Sequence, residues 1–572
     1  MTLPHFTFKI GGFAGQGIKS TGLLFSKLAA RSGYHIYDHT EYPSVIRGGH
    51  NVMQVTLSPE KISFTTRHTN FLVALNQETI NLHRPELLPN SGLLFDSDSQ
   101  LDTSGVGSDI RLFPIPLTKI AHDSGGVELI SNTVALGASI ALLGGDFTRF
   151  KNLIEDEFTG QDQAKDTNLA VALAGFNYAI EHFPDRKQEI LKPLDTAAPQ
   201  IVVNANDAVT LGAIAAGLQF AAIYPMTPTS NILHNLAPLT DKYGFIYQQP
   251  EDEIAAICMA IGASFAGARS LVATSGGGFC LMAEAYGLAG MTETPLVIIE
   301  GMRGGPSTGL PTWNEQGDLW LALHAHQGNI PNIVLAAGDP EEAFHLTTQA
   351  FNLADKYQTP VLILLDKSIC EDDQSCPPFD TTGYQIDKGK LATQTADNYQ
   401  RYLPTDDGIS PRAFPGSGNF FIANSDEHDP TGYSDESAQN RRQQMAKRMR
   451  KLETCAQNDM PPPKIFGPEN ADITIVSWGS NKGSILEALK SLPNVNFLYL
   501  NWLNPFPAKD VHDRLSKAKY ILNIECNYTA QMAGLIRQKT GIAVSDNLLK
   551  FDGRPIYPEE IIDKINSINP KQ

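Results

Sequence analysis

Cysteine is scarce in this chain, with six residues in 572, at positions 258, 280, 370, 376, 455 and 526. No two of them stand in the C-x-x-C spacing of a zinc or iron–sulfur site, and so few in so long a chain make no disulfide framework. Reduced thiols in a cytoplasmic protein are the expectation. Positive charge is also short. Lys and Arg number 44 against 62 Asp and Glu, for a net charge of −18 and a pI near 5.2. A field of that sign repels phosphate backbones, which speaks against nucleic acid or an anionic membrane surface as partner. Long apolar runs are missing as well. The most apolar stretches, 134–143 and 360–365, fall far short of the roughly 20 residues that cross a bilayer. Residues 1–10 lack the basic region and apolar run of a signal peptide. His324 and His326 stand two apart with no acid or cysteine beside them, so no metal site is expected on this chain.

What is present is an ordinary globular balance of 42% hydrophobic and 19% charged residues, which excludes a disordered or fibrous chain. At roughly 150 residues per domain the length suits three or four domains. A first α/β segment, 1–190, opens with a strand over 6–10, a glycine turn over 11–17 and a helix over 20–31. Strands over 34–37, 52–57 and 71–75 continue a strand–helix alternation. A second α/β segment, 200–385, alternates helices over 208–217, 254–268 and 281–290 with strands over 221–225, 271–274 and 295–300. Periodicity fades across 386–468, a long excursion rich in Pro, Gly, Asp and Ser with a basic helical run over 439–452. Its order is expected to come from packing on other domains. A third α/β unit, 469–572, runs strand 473–478, helix 484–492, strand 496–500 and a further round near 521–525.

Four motifs carry chemistry. In the turn Gly12-Phe-Ala-Gly15-Gln-Gly17, a helix N-terminus after a strand offers free N–H groups to a phosphate. The nucleotide fingerprints are missed, since Ser20 stands where the dinucleotide pattern needs Gly and Ile18 where the P-loop needs Lys. Asp38 lies about where a ribose-binding acid would sit, and a tight structural turn stays open as the alternative. In Tyr224-Pro225-Met226-Thr227-Pro228-Thr229-Ser230, prolines fix an extended turn just past a strand's carboxyl end, where open α/β sheets bind ligands. It presents the hydroxyls of Thr227 and Ser230, or simply caps the next helix. Glu251-Asp252-Glu253 begins an Ala-rich helix, either as dipole complements or as a carboxylate held for an aromatic nitrogen base. Arg303 leaves a strand into Gly304-Gly-Pro-Ser307-Thr308-Gly-Leu-Pro-Thr312, and its planar fork suits a carboxylate.

In this order the motifs resemble the fused α/γ subunit of the 2-oxoacid:ferredoxin oxidoreductases, most closely the 2-oxoglutarate group. Asp407-Gly-Ile-Ser-Pro-Arg412 and Glu427-His428 resemble later landmarks of the family, and Met226 replaces its usual Ile. The resemblance implies three α/β domains: a Rossmann-like γ domain, a pyrimidine-type thiamine-diphosphate-binding domain and a transketolase-C-like domain. It implies oxidative decarboxylation of a 2-oxoacid to acyl-CoA and CO2 with electrons passed to ferredoxin. Glu253 matches the glutamate that activates thiamine diphosphate, flanked by Tyr224 and Pro225. Thr227, Arg303 and Thr312 match positions that hold the 2-oxoacid, and Gly15, Gly17 and Arg47 are the implied contacts to coenzyme A. The family's Gly-Asp-Gly magnesium–diphosphate half-site is absent, as is a cysteine set for a cluster. A β subunit is therefore implied, carrying Mg2+, a [4Fe–4S] cluster and the other half of the cofactor site, in a heterodimer or dimer of heterodimers. This chain alone is expected to be inactive. Pyruvate and branched-chain 2-oxoacids remain alternative substrates, and a non-catalytic assembly subunit is the competing role. An NAD-dependent dehydrogenase fails on Ser20.

Overall fold

The computed structural model describes residues 5–45, 48–186, 188–194 and 198–568. Among them the strands form three sheets, of eight, seven and five strands, and the chain divides into two compact units.

The first unit comprises residues 1–203 with 372–378 and 557–563. Its eight-stranded sheet runs Arg111–Ile115, Leu87–Asp96, Thr69–Ala74, Phe6–Phe13, His50–Ser58, His35–Glu41, Gln374–Cys376, Ile201–Val203. Phe6–Phe13 is the pivot, parallel to Thr69–Ala74 and antiparallel to His50–Ser58. The strand runs further than the residue pattern predicts, because Gly11 and Gly12 pair with Val52 and Asn51 rather than turning. The strand–helix alternation also breaks here. The link between Glu41 and His50 is too short for a crossover helix, so His35–Glu41 and His50–Ser58 pair antiparallel. Phe8 stacks on Phe25, with ring centroids 4.1 Å apart, and anchors helix Ile18–Arg31 to the sheet.

A buried charge pair lies in the same sheet. His39 places Nδ1 2.8 Å from the Asp372 carboxylate and Nε2 3.3 Å from Glu41. Burial disfavours the imidazolium, but Asp372 and then Glu41 outweigh it and push its pKa up to about 9. A raised folded-state pKa gives stability that is complete below the unfolded value near 6.5 and lost as pH rises through about 9. Denaturant titration of the whole chain is expected to lose on the order of 3 kcal/mol across that window. The loss should be absent in His39→Gln; a variant with the same pH slope would refute the assignment.

The second unit holds the other two sheets. The seven-stranded sheet runs Trp502–Asn504, Ile333–Ala336, Pro360–Asp366, Leu296–Met302, Ser270–Ser275, Phe220–Ala222, Ile246–Gln248, parallel throughout except for the Trp502–Asn504 edge. Every residue of Leu296–Met302 and Pro360–Asp366 is buried, which explains why these strands show continuous apolar runs and no alternation. The five-stranded sheet runs Lys464–Phe466, Val495–Leu500, Ile473–Trp478, Tyr520–Glu525, Asp546–Leu549.

Between residues 379 and 437 the described chain carries only isolated bridges before helix Ala438–Asn458. It is held by charge. Lys447 and Lys451 each place Nζ 2.5 Å from the fully buried Glu293 carboxylate. Glu427 takes a bidentate pair from Arg448 at 2.8 and 2.7 Å, and Arg412 meets Asp355 at 2.7 Å. These two later landmarks therefore brace the fold. Among the described residues no helix is long and apolar enough to cross a membrane.

Candidate active site

Four neighbouring parallel strands of the seven-stranded sheet deliver the sequence-predicted residues at their carboxyl ends. Leu296–Met302 ends at Arg303, Ser270–Ser275 runs straight into helix Gly276–Met291, Phe220–Ala222 leads to Tyr224–Thr229, and Ile246–Gln248 leads to Glu253. Convergence on one sheet edge is where ligands bind in open α/β sheets.

The proline turn is tied down from several sides. Thr229 donates through its backbone N–H and its hydroxyl to the Met226 carbonyl, at 3.0 and 3.1 Å, and its hydroxyl also reaches the Thr274 carbonyl at 3.2 Å. Asn206 Nδ2 donates to the Pro228 carbonyl at 2.9 Å. Arg303 Nη1 donates to the Thr227 carbonyl at 2.9 Å, joining this turn to the arginine loop. Tyr224, Pro225 and Thr227 are half-buried. These bonds fix the position of the turn at the strand ends.

The two adjacent acids divide the two roles the sequence left open. Asp252 is the helix cap, accepting from Ala255 N–H at 2.7 Å. Glu253, the first residue of helix Glu253–Phe265, is only 3% exposed, and among the described residues its Oε1 has no hydrogen-bond partner. A Cβ at Gly278 would stand 2.6 Å from that oxygen, so only glycine there admits the carboxylate. A buried, unsatisfied carboxyl oxygen is costly, and this one is open to share a proton with a group from outside the chain. An aromatic ring nitrogen fits it.

Arg303 is half-buried. Burial lowers its pKa, opposed by the nearby Asp318. The loop beyond it closes as a hairpin: Gly304 N–H donates to Trp313 O at 3.1 Å and Leu310 N–H to Gly304 O at 2.7 Å. Gly305 N–H reaches the Glu315 carboxylate at 3.2 Å. Ser307 and Thr308 sit exposed at the tip, while Thr312 is buried at the base. Residues 305–309 spell G-x-S-x-G, but Ser307 lies in a hairpin and not in the strand-to-helix turn of a nucleophile elbow.

Two carboxyls at the site went unpredicted, Glu300 and Asp318. Glu300 is fully buried in Leu296–Met302, and its carboxyl faces that of Asp318. Burial, then Asp318, pushes Glu300 well above the carboxylate range. Asp318 is pushed up by burial to about 6, with Glu300 and Arg303 opposing. An acid inside the apolar run LVIIEGM was the available signal.

The remaining predicted residues lie in the first unit. Gly15 and Gly17 have φ of 92° and 67°. Gly17 precedes helix Ile18–Arg31, whose N-terminus has no side-chain cap, and Asn132 donates to Thr21 Oγ1 at 2.9 Å beside it. Arg47 lies outside the described residues.

Comparison with known proteins settles the family. The alpha subunit of 2-oxoacid:ferredoxin oxidoreductase from Saccharolobus solfataricus is 33% identical, across 99% of this chain and 98% of its own length. This chain belongs to the 2-oxoacid:ferredoxin oxidoreductase alpha subunits. As an alpha subunit it is part of a multi-subunit oxidoreductase. The family described as "Pyruvate flavodoxin/ferredoxin oxidoreductase, thiamine diP-bdg" matches residues 211–448, a span that includes Thr227, Glu253, Arg303 and Thr312. "Pyruvate ferredoxin/flavodoxin oxidoreductase" matches 7–178. Subunit KorA of 2-oxoglutarate oxidoreductase from Mycobacterium tuberculosis is 28% identical over 98% of this chain and 91% of its own length. Among solved structures, 2-oxoglutarate:ferredoxin oxidoreductase from Magnetococcus marinus, with 2-oxoglutarate, coenzyme A and succinyl-CoA bound, superposes with a TM-score of 0.92. It is 31% identical and the match covers 99% of this chain and 100% of that one. The α/β architecture and the thiamine-diphosphate-binding domain that the motifs implied are thus both present in this alpha subunit.

Proposed function

We propose that this alpha subunit acts on 2-oxoglutarate, converting it with coenzyme A to succinyl-CoA and CO2 and passing two electrons, one at a time, to ferredoxin. The observation that carries the reading is the buried, unpartnered Glu253 oxygen at the same sheet edge as Arg303. Thiamine diphosphate, when bound, supplies a nucleophilic carbon and a conjugated ring that takes up the electron pair left by departing CO2. Glu253 would hold a proton against the pyrimidine nitrogen and so favour the tautomer that activates the cofactor. Tyr224 and Pro225, half-buried in the proline turn, would help to hold that ring. Arg303 binds the 2-oxoacid carboxylate through its planar fork, and the hydroxyls of Thr227 and Thr312 orient the keto group beside it. 2-Oxoglutarate leads over pyruvate because the solved relative that matches the whole chain holds 2-oxoglutarate.

A β subunit is part of this reading. Helix Glu253–Phe265 and its neighbour leave Ile254, Met259 and Leu281 exposed, apolar side chains available to a partner that completes the diphosphate half of the pocket. That partner would bring Mg2+ and the [4Fe–4S] cluster, in a cytoplasmic heterodimer or dimer of heterodimers. Gly15, Gly17 and Arg47 are the coenzyme A contacts in the same reading.

The test is co-purification with the partner, then dye reduction dependent on 2-oxoglutarate and coenzyme A. Removing one member of a buried charge pair costs about 2–5 kcal/mol, so Arg303→Ala in the assembled enzyme is expected to raise KM for the 2-oxoacid at least about thirtyfold. A wild-type KM in that variant would sink the proposal.

A further inference from the structure

Asp318 is the N-cap residue of helix Leu319–His324, yet its side chain makes no capping bond. Its carboxylate instead sits on Gly276, the first residue of helix Gly276–Met291, where any Cβ would collide with it. Two residues on, Gly278 admits Glu253 in the same way. The triglycine turn is therefore notched for two carboxylates, one of them Glu253 and the other unassigned. Facing Asp318 is Glu300, whose oxygens meet no donor among the described residues. Two carboxyls that face each other away from water hold together only through a shared proton, so Glu300 is the protonated donor and Asp318 the acceptor. The other titratable groups facing Asp318 are Arg303 and Glu315 from the arginine loop and Cys280 from helix Gly276–Met291. Arg303 is the one cation among them.

We propose that Asp318, seated on Gly276 and facing Glu300, is a positioning residue for Arg303, supplying a nearby negative charge against which the substrate's carboxylate must bind. The inference rests on Arg303 being the carboxylate site. It gives the buried pair a purpose. Ser275 pairs with Gly301 across the parallel strands, so the Asp318 carboxylate on Gly276 lies beside the chain that leads from Gly301 to Arg303. In the empty site it offsets part of the arginine's charge, while the guanidinium itself bonds the Thr227 carbonyl. An arriving 2-oxoacid must compete with Asp318, and the competition ends when Asp318 takes up a proton.

The sign follows. Asp318 titrates at about 6, so KM for 2-oxoglutarate in the assembled enzyme should fall as pH drops from 7.5 to 5.5, by about fivefold for a partly screened neighbouring charge. Asp318→Asn keeps the shape and removes the charge; its KM should be low and flat across that range. Glu300→Leu removes the donor that steadies the Asp318 anion and should move the break to higher pH. Glu300→Gln, whose amide donates the same hydrogen bond, should restore it. Calorimetric binding of glutarate, a dicarboxylate with no keto group to react, should follow the same pattern and reads affinity apart from turnover.

A purely structural Asp318 would lower stability or kcat and leave the pH dependence of KM in place; that result in Asp318→Asn overturns the proposal, as does a flat wild-type profile. If Asp318→Asn does not assemble, the contrast between Glu300→Leu and Glu300→Gln decides, and identical profiles for these two would refute it. Failure of the underlying reading looks different, because then Arg303→Ala itself leaves KM unchanged.

Discussion

Glu253→Gln in the assembled enzyme is expected to cut turnover by about a thousandfold, within the range for losing a positioned acid–base group, while leaving the fold intact. The amide keeps the volume of the carboxylate in the Gly278 notch, so packing is undisturbed. What it removes is the ability to share a proton with a ring nitrogen, the task proposed for an oxygen that has no partner among the described residues. Stability should hold, because a buried oxygen without a partner among the described residues is replaced by an amide of the same shape. Steady-state dye reduction with thermal unfolding on the same preparation checks both halves. A fully active Glu253→Gln complex would return the subunit to an assembly role.

Glu293→Ala should destabilise the second unit by on the order of 3–5 kcal/mol, since it strips the anion from two buried lysines. Burial, helped by Arg401 and the neighbouring cations, already pushes Lys447 down to about 8 and Lys451 to about 7, even with Glu293 opposing. Glu293 stays ionised well below the carboxylate range because Lys447, Lys451 and Arg401 outweigh its burial. Without it, the folded lysines give up their protons while the unfolded ones keep theirs, so the variant's stability should rise with pH. Limited proteolysis should then cut first between residues 379 and 437, which this helix helps to pin. A variant with wild-type stability at pH 6 would refute the account.

The sequence made some of this legible and hid the rest for identifiable reasons. Apolar runs at 296–299 and 360–365 mark two of the strands, and the Tyr224–Ser230 and Arg303–Thr312 motifs stand out because proline, glycine and arginine follow strand ends. Gln374–Cys376 was invisible: three residues joining a sheet hundreds of positions upstream carry no periodicity of their own. The antiparallel return of His50–Ser58 was likewise hidden, since a strand's direction is set by the length of its connection and not by its residues. Glu300 was passed over because a lone acid in an apolar strand has no spacing pattern, and its partner Asp318 is distant in sequence. The choice between Asp252 and Glu253 as cap required coordinates, because adjacent acids in a first helical turn are chemically alike.

The three consecutive glycines at 276–278 are not equivalent. The first and third are each fixed by a carboxylate that occupies the space of a side chain, whereas Gly277 between them is exposed with nothing within 4 Å of where a Cβ would stand. Drift in related chains should therefore be silent at the middle position and forbidden on either side of it. A small reporter group carried at 277 would stand one residue from each notch without displacing either carboxylate, giving an optical view of what enters the site and when.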